Sequence, residues 1–442
     1  MRAEVPLLFG PDALTRGDAD RYHLHKLQTT LRYAADNSSF YRELFQKTGI
    51  APEDIRALAD IEKLPLTNPE EIAASPFRFL CLSRSEIART HNFVTSGTTG
   101  PKKKIFCTQN DLEKIVRFLA AGIATVAGRG DVVNVQLPVG LPYGQSDLLS
   151  RGVKKIGAKP IIVPMDISSK DHLRLIKKYR ATVIFGFTRR MLRLTKELES
   201  FCDLSALGVH TLFLTGEYLP SNVRADLQKT WNCRVSTHYG LTEMGLGVAV
   251  ECGAGDGYHF NEAGLIVEIV DPENGRPVAP GDEGELVFTT LTREAMPLIR
   301  YRTGDISHLI LEPCSCGAKA LVKFAAVKKR IGAITPLAGG EELYPSLIDD
   351  VLMNMPGFID WQAVIKRQDE REILHFHVEL IEPDSGKIPE IRKCLLAVSA
   401  LAKSIQAGAM AEPVIEIASL GELHGTGTRK RLIGRQDVFL RK

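Results

Sequence analysis

Apolar side chains recur at helical spacing between residues 21 and 48, as at Leu24, Leu27 and Leu31 and again over residues 40–45. The polar cluster at residues 37–39 (NSS) interrupts this pattern. Small polar residues of this kind end one helix and cap the next. The pattern therefore predicts a helical segment at the start of the chain.

From about residue 90, short β-rich runs alternate with amphipathic stretches. The β-rich runs cover residues 132–137, 159–163, 182–185, 211–214 and 234–237. The helical stretches cover residues 109–126, 146–156, 172–179, 189–199 and 221–231. This alternation is typical of βαβ units and predicts a largely parallel sheet covered by helices.

The pattern changes twice further along the chain. Residues 255–312 contain shorter strands separated by Pro, Gly and Asp turns, which indicates a small antiparallel β subdomain. The elements predicted beyond residue 330 are a helix at 345–354, strands at 361–366 and 373–380, a helix at 389–404 and a strand at 414–417. We therefore expect an α/β fold with a large N-terminal domain and a small C-terminal α+β domain. The N-terminal domain (1–328) has parallel sheets flanked by helices, a helical start over 1–90 and the β subdomain at about 255–325, and the C-terminal domain covers 329–442.

Composition narrows the class of protein. Hydrophobic residues make up 44% and charged residues 25% of the 442 residues, as in ordinary folded domains. The net charge of +3 is too balanced to indicate nucleic acid or an anionic membrane as a partner. No apolar run reaches the roughly 18 residues that a membrane span needs, and the first residues carry charges too early for a signal peptide. We expect a cytoplasmic protein, and its eight cysteines are too sparse for a disulfide framework.

A loop rich in glycine and hydroxyl groups occupies residues 95–100 (TSGTTG) and is followed by Pro101 and three lysines, residues 102–104. Hydroxyl and backbone N–H donors beside glycines suit phosphate oxygens, and the lysines would supply charge. Taken alone, the segment could equally be a turn followed by a solvated run of charge. Its spacing differs from GxxxxGK[ST], which disfavours a P-loop NTPase.

Two further motifs follow this loop in order, YGLTE at residues 239–243 and YRTGD at residues 301–305. With these three motifs the chain resembles the adenylate-forming superfamily of acyl-CoA synthetases. Within it, the chain is most similar to the phenylacetate-coenzyme A ligase family, through the segments NSSFYR (37–42), PEDI (52–55), KLP (63–65) and GVAVEC (247–252). The resemblance covers residues from about 24 to 322 and extends more loosely over the last hundred.

This resemblance implies an ATP-dependent ligase that forms an acyl-adenylate from a carboxylic acid and then an acyl-CoA thioester. The loop would hold the β- and γ-phosphates, Tyr239 would lie against the adenine, Thr242 would contact the α-phosphate, and Asp305 would accept hydrogen bonds from the ribose. Glu243 would hold Mg²⁺, which prefers oxygen ligands. The implied nucleotide-binding residues are Ser96, Gly97, Thr98, Thr99, Gly100, Gly216, Glu217, Tyr239, Gly240, Thr242, Asp305 and Arg330.

The sequence departs from the family pattern near its C-terminus. Relatives close the site with a Gly-Lys pair, but aligning Gly427 with that glycine puts Thr428 at the lysine position, and Lys430 follows two residues later. The basic run at 429–431 either reaches the nucleotide or is a solvated tail. Arg330 also lacks the acidic neighbours of the family hinge. Thr242 and Lys430 are the candidate catalytic residues. The alternatives are acyl transfer to a carrier protein or amine, or a non-catalytic nucleotide-binding protein.

Four residues form a candidate metal set: Cys252, His259, Cys314 and Cys316. From spacing alone, free buried cysteines and a core histidine would explain them. Phenylacetate-coenzyme A ligase-like relatives include members with this Cys, His and Cys-x-Cys set, so the resemblance implies a closed structural Zn²⁺ site, as the ligand chemistry also favours.

The substrate pocket is expected to include Tyr143, Phe185, His238 and Met244, and to suit an aromatic or medium-sized apolar acid. The expected partners are that acid and coenzyme A. We expect no nucleic acid or membrane partner and regard a homodimer as possible.

Overall fold

The computed structural model describes residues 15–94, 102–255, 257–318, 320–353, 355–368, 371–423 and 433–436. Its helices are α1 (Arg16–Asn37), α2 (Ser39–Thr48), α3 (Pro69–Ala74), α4 (Gln109–Ala124), α5 (Gln145–Lys155), α6 (Ser169–Tyr179), α7 (Thr188–Leu198), α8 (Ser221–Trp231), α9 (Pro345–Leu352), α10 (Ile388–Leu396) and α11 (Ser399–Gln406). Among these, no helix is both long and apolar enough to cross a bilayer.

The strands fall into several sheets. They are β1 (Arg89–Val94), β2 (Lys102–Cys107), β3 (Val132–Val135), β4 (Lys159–Ile162), β5 (Val183–Phe187), β6 (Thr211–Thr215), β7 (Arg234–Tyr239), β8 (Ala249–Glu251), β9 (Tyr258–Phe260), β10 (Leu265–Val270), β11 (Gly284–Thr290), β12 (Tyr301–Ser307), β13 (Leu309–Ile310), β14 (Lys323–Phe324), β15 (Lys329–Arg330), β16 (Thr335–Pro336), β17 (Glu342–Leu343), β18 (Phe358–Gln368), β19 (Arg371–Leu380), β20 (Val414–Ala418) and β21 (Ile433–Gln436).

Ser38 separates the first two helices. Its N–H donates to the Ala34 carbonyl (2.9 Å) at the end of α1, and its Oγ accepts from the Tyr41 N–H (3.4 Å) at the start of α2. A side-chain oxygen at this position satisfies an amide that has no partner within the helix. The predicted break in the N-terminal helical segment is therefore confirmed.

The β-rich runs in the middle of the chain form parallel pairs, as their alternation with helices predicts. β3 pairs with β4, and β5 pairs with β6 so that Phe187 lies opposite Thr215. Antiparallel pairs follow, β7 with β8, β8 with β9, β9 with β14 and β14 with β13. β10, β11 and β12 form the predicted antiparallel subdomain. The hairpin of β1 and β2, on either side of residues 95–101, was not predicted.

The C-terminal segment is an α+β arrangement with the strand order β20-β19-β18-β21. β18 and β19 are antiparallel, whereas β20 and β21 each join in parallel. The prediction of one helix over 389–404 is wrong, because Val398 takes an extended conformation (φ −71°, ψ 110°) between α10 and α11. Strand β21 was also missed.

The chain divides into two compact units, Met1–Pro164 with Ser236–Val327, and Met165–Val235 with Lys328–Lys442. The core of the second unit draws on both of its segments, with Leu227 and Trp231 from the first and Trp361 and Phe376 from the second. Residues 165–235 thus pack with the C-terminal segment. The expected boundary between 1–328 and 329–442 stays a prediction about domain organisation.

Candidate active site

A tight turn follows β7 and carries the YGLTE motif. The Met244 and Leu246 N–H groups both donate to the Leu241 carbonyl, at 3.1 and 2.8 Å. A Cβ on Gly240 would lie 2.0 Å from the Leu246 carbonyl oxygen, so only glycine fits there. The turn leaves Thr242 half-buried and encloses Glu243.

A hydrogen bond joins the YGLTE motif to the YRTGD motif. The Tyr239 hydroxyl, at the end of β7, donates to Asp305 Oδ2 on β12 at 2.6 Å. Asp305 is buried, and the ring of Tyr239 packs edge-on against Phe324 with centroids 5.4 Å apart. At Gly304, φ is 72°, and its N–H donates to Glu285 Oε1. The fold therefore brings together two residues expected to contact the adenine and the ribose.

Glu243 lies in a buried charged cluster. Its Oε1 accepts from Lys103 Nζ at 2.6 Å and from the Tyr301 hydroxyl at 2.6 Å. Lys103 Nζ also donates to the Tyr301 hydroxyl at 2.8 Å. The interpretation of residues 102–104 as a solvated charge run is wrong for Lys103, which is 5% exposed. Sequence reasoning missed this pair, since no local signal links residues 140 positions apart.

The second unit carries the other predicted nucleotide residues. Gly216 follows β6 with φ 88°, and a Cβ there would lie 2.5 Å from the ring of Phe187. Glu217 Oε1 lies 2.6 Å from Arg189 Nη2, and Arg189 Nη1 lies 3.4 Å from Asp360. Arg189, which contacts Glu217, and Asp360, which contacts Arg189, were not indicated by the sequence.

Arg330 and Phe185 also belong to this second unit. Arg330 lies half-buried on β15. The buried ring of Phe185 packs edge-to-face on Phe213 with centroids 5.3 Å apart.

The remaining predicted pocket residues belong to the first unit. Burial lowers the pKa of His238 to about 4, so this side chain is neutral at pH 7. Met244 is buried in the turn that follows β7. Tyr143 has a φ of 61°, and its ring lies 4.4 Å from the Arg151 guanidinium.

Several predicted residues lie outside the described part of the chain, and their roles stay predictions. They are Ser96, Gly97, Thr98, Thr99, Gly100, Thr428 and Lys430.

The four predicted metal ligands converge. Cys252 Sγ lies 3.3 Å from Cys314 Sγ, and Cys316 Sγ lies 3.4 Å from His259 Nε2. All four ligand atoms are within 4.8 Å of one another. Hydrogen bonds, chiefly from Cys316 and also from His259 and Cys314, lower the pKa of the Cys252 thiol. Three sulfurs and one imidazole nitrogen so placed fit a tetrahedral Zn²⁺.

The chain is similar to known ligases over most of its length. The AMP-binding enzyme family model matches residues 92–291. A phenylacetate-coenzyme A ligase of Aromatoleum evansii is 31% identical over 391 residues, which cover 87% of this chain and 85% of that protein. The chain belongs to the phenylacetate-coenzyme A ligase family. A second phenylacetate-coenzyme A ligase, from Thermus thermophilus, is 30% identical over 364 residues, covering 81% of this chain and 80% of that ligase.

Solved structures agree with this family fold. A 2-hydroxyisobutyryl-CoA ligase in the postadenylation state matches with a TM-score of 0.79 at 21% identity, covering 97% of this chain and 94% of that one. The o-succinylbenzoate coenzyme A synthetase of Bacillus subtilis, in complex with ATP and magnesium ion, matches with a TM-score of 0.51 at 18% identity, covering 78% and 68%. The likeness confirms the predicted α/β fold class.

Proposed function

We propose that this member of the phenylacetate-coenzyme A ligase family is an ATP-dependent, AMP-forming acid–thiol ligase. It would convert a carboxylic acid to an acyl-adenylate and then to an acyl-CoA thioester. The observation that carries the proposal is the meeting of the YGLTE and YRTGD motifs, through the Tyr239–Asp305 and Glu243–Tyr301 hydrogen bonds. The relatives named as coenzyme A ligases support it over most of the chain.

In the first half-reaction, a carboxylate oxygen of the acid attacks the α-phosphorus and pyrophosphate leaves. This step needs orientation and neutralisation of charge more than it needs an acid or a base. Asp305 would hold the ribose hydroxyls and Tyr239 would pack on the adenine, while Thr242 and Lys430 would meet the α-phosphate. In the second half-reaction, the thiol sulfur bonds to the acyl carbon, its proton is lost, and AMP leaves.

The residues present fit two metals. Glu243 would bind Mg²⁺, a hard cation that neutralises phosphate charge, together with the nucleotide held by residues 96–100. Cys252, His259, Cys314 and Cys316 would bind one structural Zn²⁺ with all four positions filled by protein, which leaves it no catalytic position.

The pocket residues favour an aromatic or medium-sized apolar acid. Burial keeps His238 neutral, and the other residues expected to line the pocket, Met244, Phe185 and Tyr143, have aromatic or apolar side chains. We place the enzyme in the cytoplasm, with the acid and coenzyme A as its small-molecule partners.

The test is a panel of aryl and aliphatic acids incubated with ATP and Mg²⁺. We expect acid-dependent pyrophosphate release for an apolar aryl or medium-chain acid, and an acyl-CoA product by mass spectrometry when coenzyme A is added. Omitting the acid is the control. Pyrophosphate without use of coenzyme A would point to a carrier protein or an amine as the acceptor. ATP binding without pyrophosphate release for any acid would contradict the proposal and favour a non-catalytic role.

A further inference from the structure

Lys103 lies in the first unit, and the roles given to the 95–100 loop and to the YGLTE and YRTGD motifs do not include it. It lies on β2, two residues beyond the 95–101 loop, and is 5% exposed. Its ammonium contacts both Glu243 Oε1 and the Tyr301 hydroxyl. A buried lysine is costly unless its charge is matched, so this contact fixes the position of the side chain.

The strand geometry selects this lysine from the run. Successive side chains of a strand point to opposite faces. Lys103 turns inward to Glu243, whereas the Lys104 ammonium lies 5.4 Å from the centre of the Phe77 ring. Of Lys103 and Lys104, Lys103 is therefore the one that contacts the proposed metal ligand.

Among the described residues, the hydrogen bonds to the Glu243 carboxylate fall on one of its two oxygens. Lys103 and Tyr301 both donate to Oε1, and within the described residues no hydrogen bond reaches Oε2. Arg293 also contacts Glu243, but at its backbone carbonyl oxygen, which lies 3.5 Å from Arg293 Nη2. A carboxylate held by one oxygen presents the other in a fixed direction, which suits a single bond to Mg²⁺.

We propose that Lys103 is a positioning residue for the nucleotide-bound metal: with Tyr301, it holds Glu243 by Oε1 so that Oε2 faces Mg²⁺. This inference rests on the proposed function, because Mg²⁺-ATP is the substrate there. A buried carboxylate that loses both its counter-charge and a hydrogen-bond donor is no longer held in one position, so it offers the metal no fixed oxygen. Lys103 thus acts through Glu243 and does not touch the reacting atoms.

The test compares Lys103→Met and Lys103→Arg with the wild-type protein. The matched control is Lys114→Met, which breaks the partly exposed Lys114–Glu294 pair (3.3 Å) in the same unit. Mn²⁺ serves as the probe, and its binding with a non-hydrolysable ATP analogue is measured by electron paramagnetic resonance, so no turnover is needed. We expect Lys103→Met to weaken Mn²⁺ binding by roughly tenfold to a hundredfold, the range for loss of a hydrogen bond to a charged group. Lys103→Arg should restore most of the affinity, and Lys114→Met should match the wild type.

A kinetic readout separates positioning from general destabilisation. In acid-dependent pyrophosphate release, Lys103→Met should raise the Mg²⁺ concentration for half-maximal rate while the KM for the acid stays unchanged. If Lys103→Met does not fold, Tyr301→Phe replaces it. Removing the hydroxyl leaves the ion pair in place, so Mn²⁺ binding should weaken only several-fold.

Wild-type or tighter Mn²⁺ affinity in Lys103→Met would overturn the proposal, and so would a wild-type protein that binds no Mn²⁺ with the ATP analogue. Failure of every acid to release pyrophosphate would instead count against the proposed function. The Mn²⁺ measurement would still decide the role of Lys103.

Discussion

Asp305 combines burial with a short hydrogen bond from a phenol, and its carboxylate is fixed before any nucleotide arrives. The side chain is 3% exposed and its Oδ2 accepts from Tyr239 at 2.6 Å. Pre-set acceptors of this kind avoid the entropic cost of ordering a flexible side chain on binding. The Tyr239 ring is held in the same way, by its contact with Phe324.

We therefore expect Asp305→Ala and Glu243→Gln to impair ATP use by about a hundredfold, since a lost charged acceptor costs a few kcal/mol. The measurement is kcat/KM for ATP, with circular dichroism to confirm that both variants fold. Tyr239→Phe should have a smaller effect, because it removes only the hydroxyl that donates to Asp305 and leaves the carboxylate in place. Unchanged ATP affinity and turnover in Asp305→Ala and Glu243→Gln would contradict the assignment.

At the scale of single residues, the sequence predicted which polar residues of the motifs belong to the site, but it did not predict their hydrogen-bond and ion-pair partners. Asp305 and Glu243 stand in recognisable motifs, whereas Lys103 looks like one member of a charged run. Its pairing with Glu243 depends on strand register and on the turn after β7. Contacts between residues so far apart in the chain produce no recognisable spacing pattern in the sequence.

At the scale of elements, the cysteine–histidine cluster joins three segments that are separate in the sequence. Cys252 follows β8, His259 lies on β9, and Cys314 and Cys316 lie in the turn after β13. β8 also pairs with the end of β7, where Tyr239 lies opposite Ala249. A metal in this cluster would hold the strands behind the proposed adenine contact.

Elemental analysis should therefore find about one zinc per chain, and Cys314→Ser should lose the metal and lower the melting temperature. A metal that binds only the native state stabilises it by its binding free energy. Cys202→Ser, at a half-buried free cysteine outside the cluster, is the control. Full stability after the metal has been removed by a chelator would end this interpretation.

Element boundaries were predictable where apolar spacing and local caps agree. The predicted helix 221–231 matches α8 at both ends, and Ser38 ends one helix and begins the next. The run over 389–404 has continuous helical spacing, yet Val398 is extended and buried between α10 and α11. Here packing into the core of the second unit outweighs local preference.

At the scale of the whole molecule, burial of histidines links stability to pH. Burial lowers the pKa values of His91, His172 and His238 to about 4 each, with nearby arginines adding to the effect at His91 and His172. In the unfolded chain a histidine titrates near 6.5. Between these values the unfolded chain binds more protons, so their contribution is fully present above about pH 6.5 and is lost as the pH falls toward 4.

Each of these histidines should lower the free energy of unfolding by about 2 kcal/mol when the pH falls from 7 to 5. His172→Gln removes one titrating group from the second unit, so its free energy of unfolding should fall less over this range than that of the wild type, by about that amount. His25→Gln, at an exposed position on α1, is the control and should keep the wild-type slope. Urea denaturation at pH 7, 6 and 5 measures the difference in slope, which is independent of any constant destabilisation that His172→Gln causes. Equal slopes for His172→Gln and the wild type would show that His172 takes up its proton in the folded state.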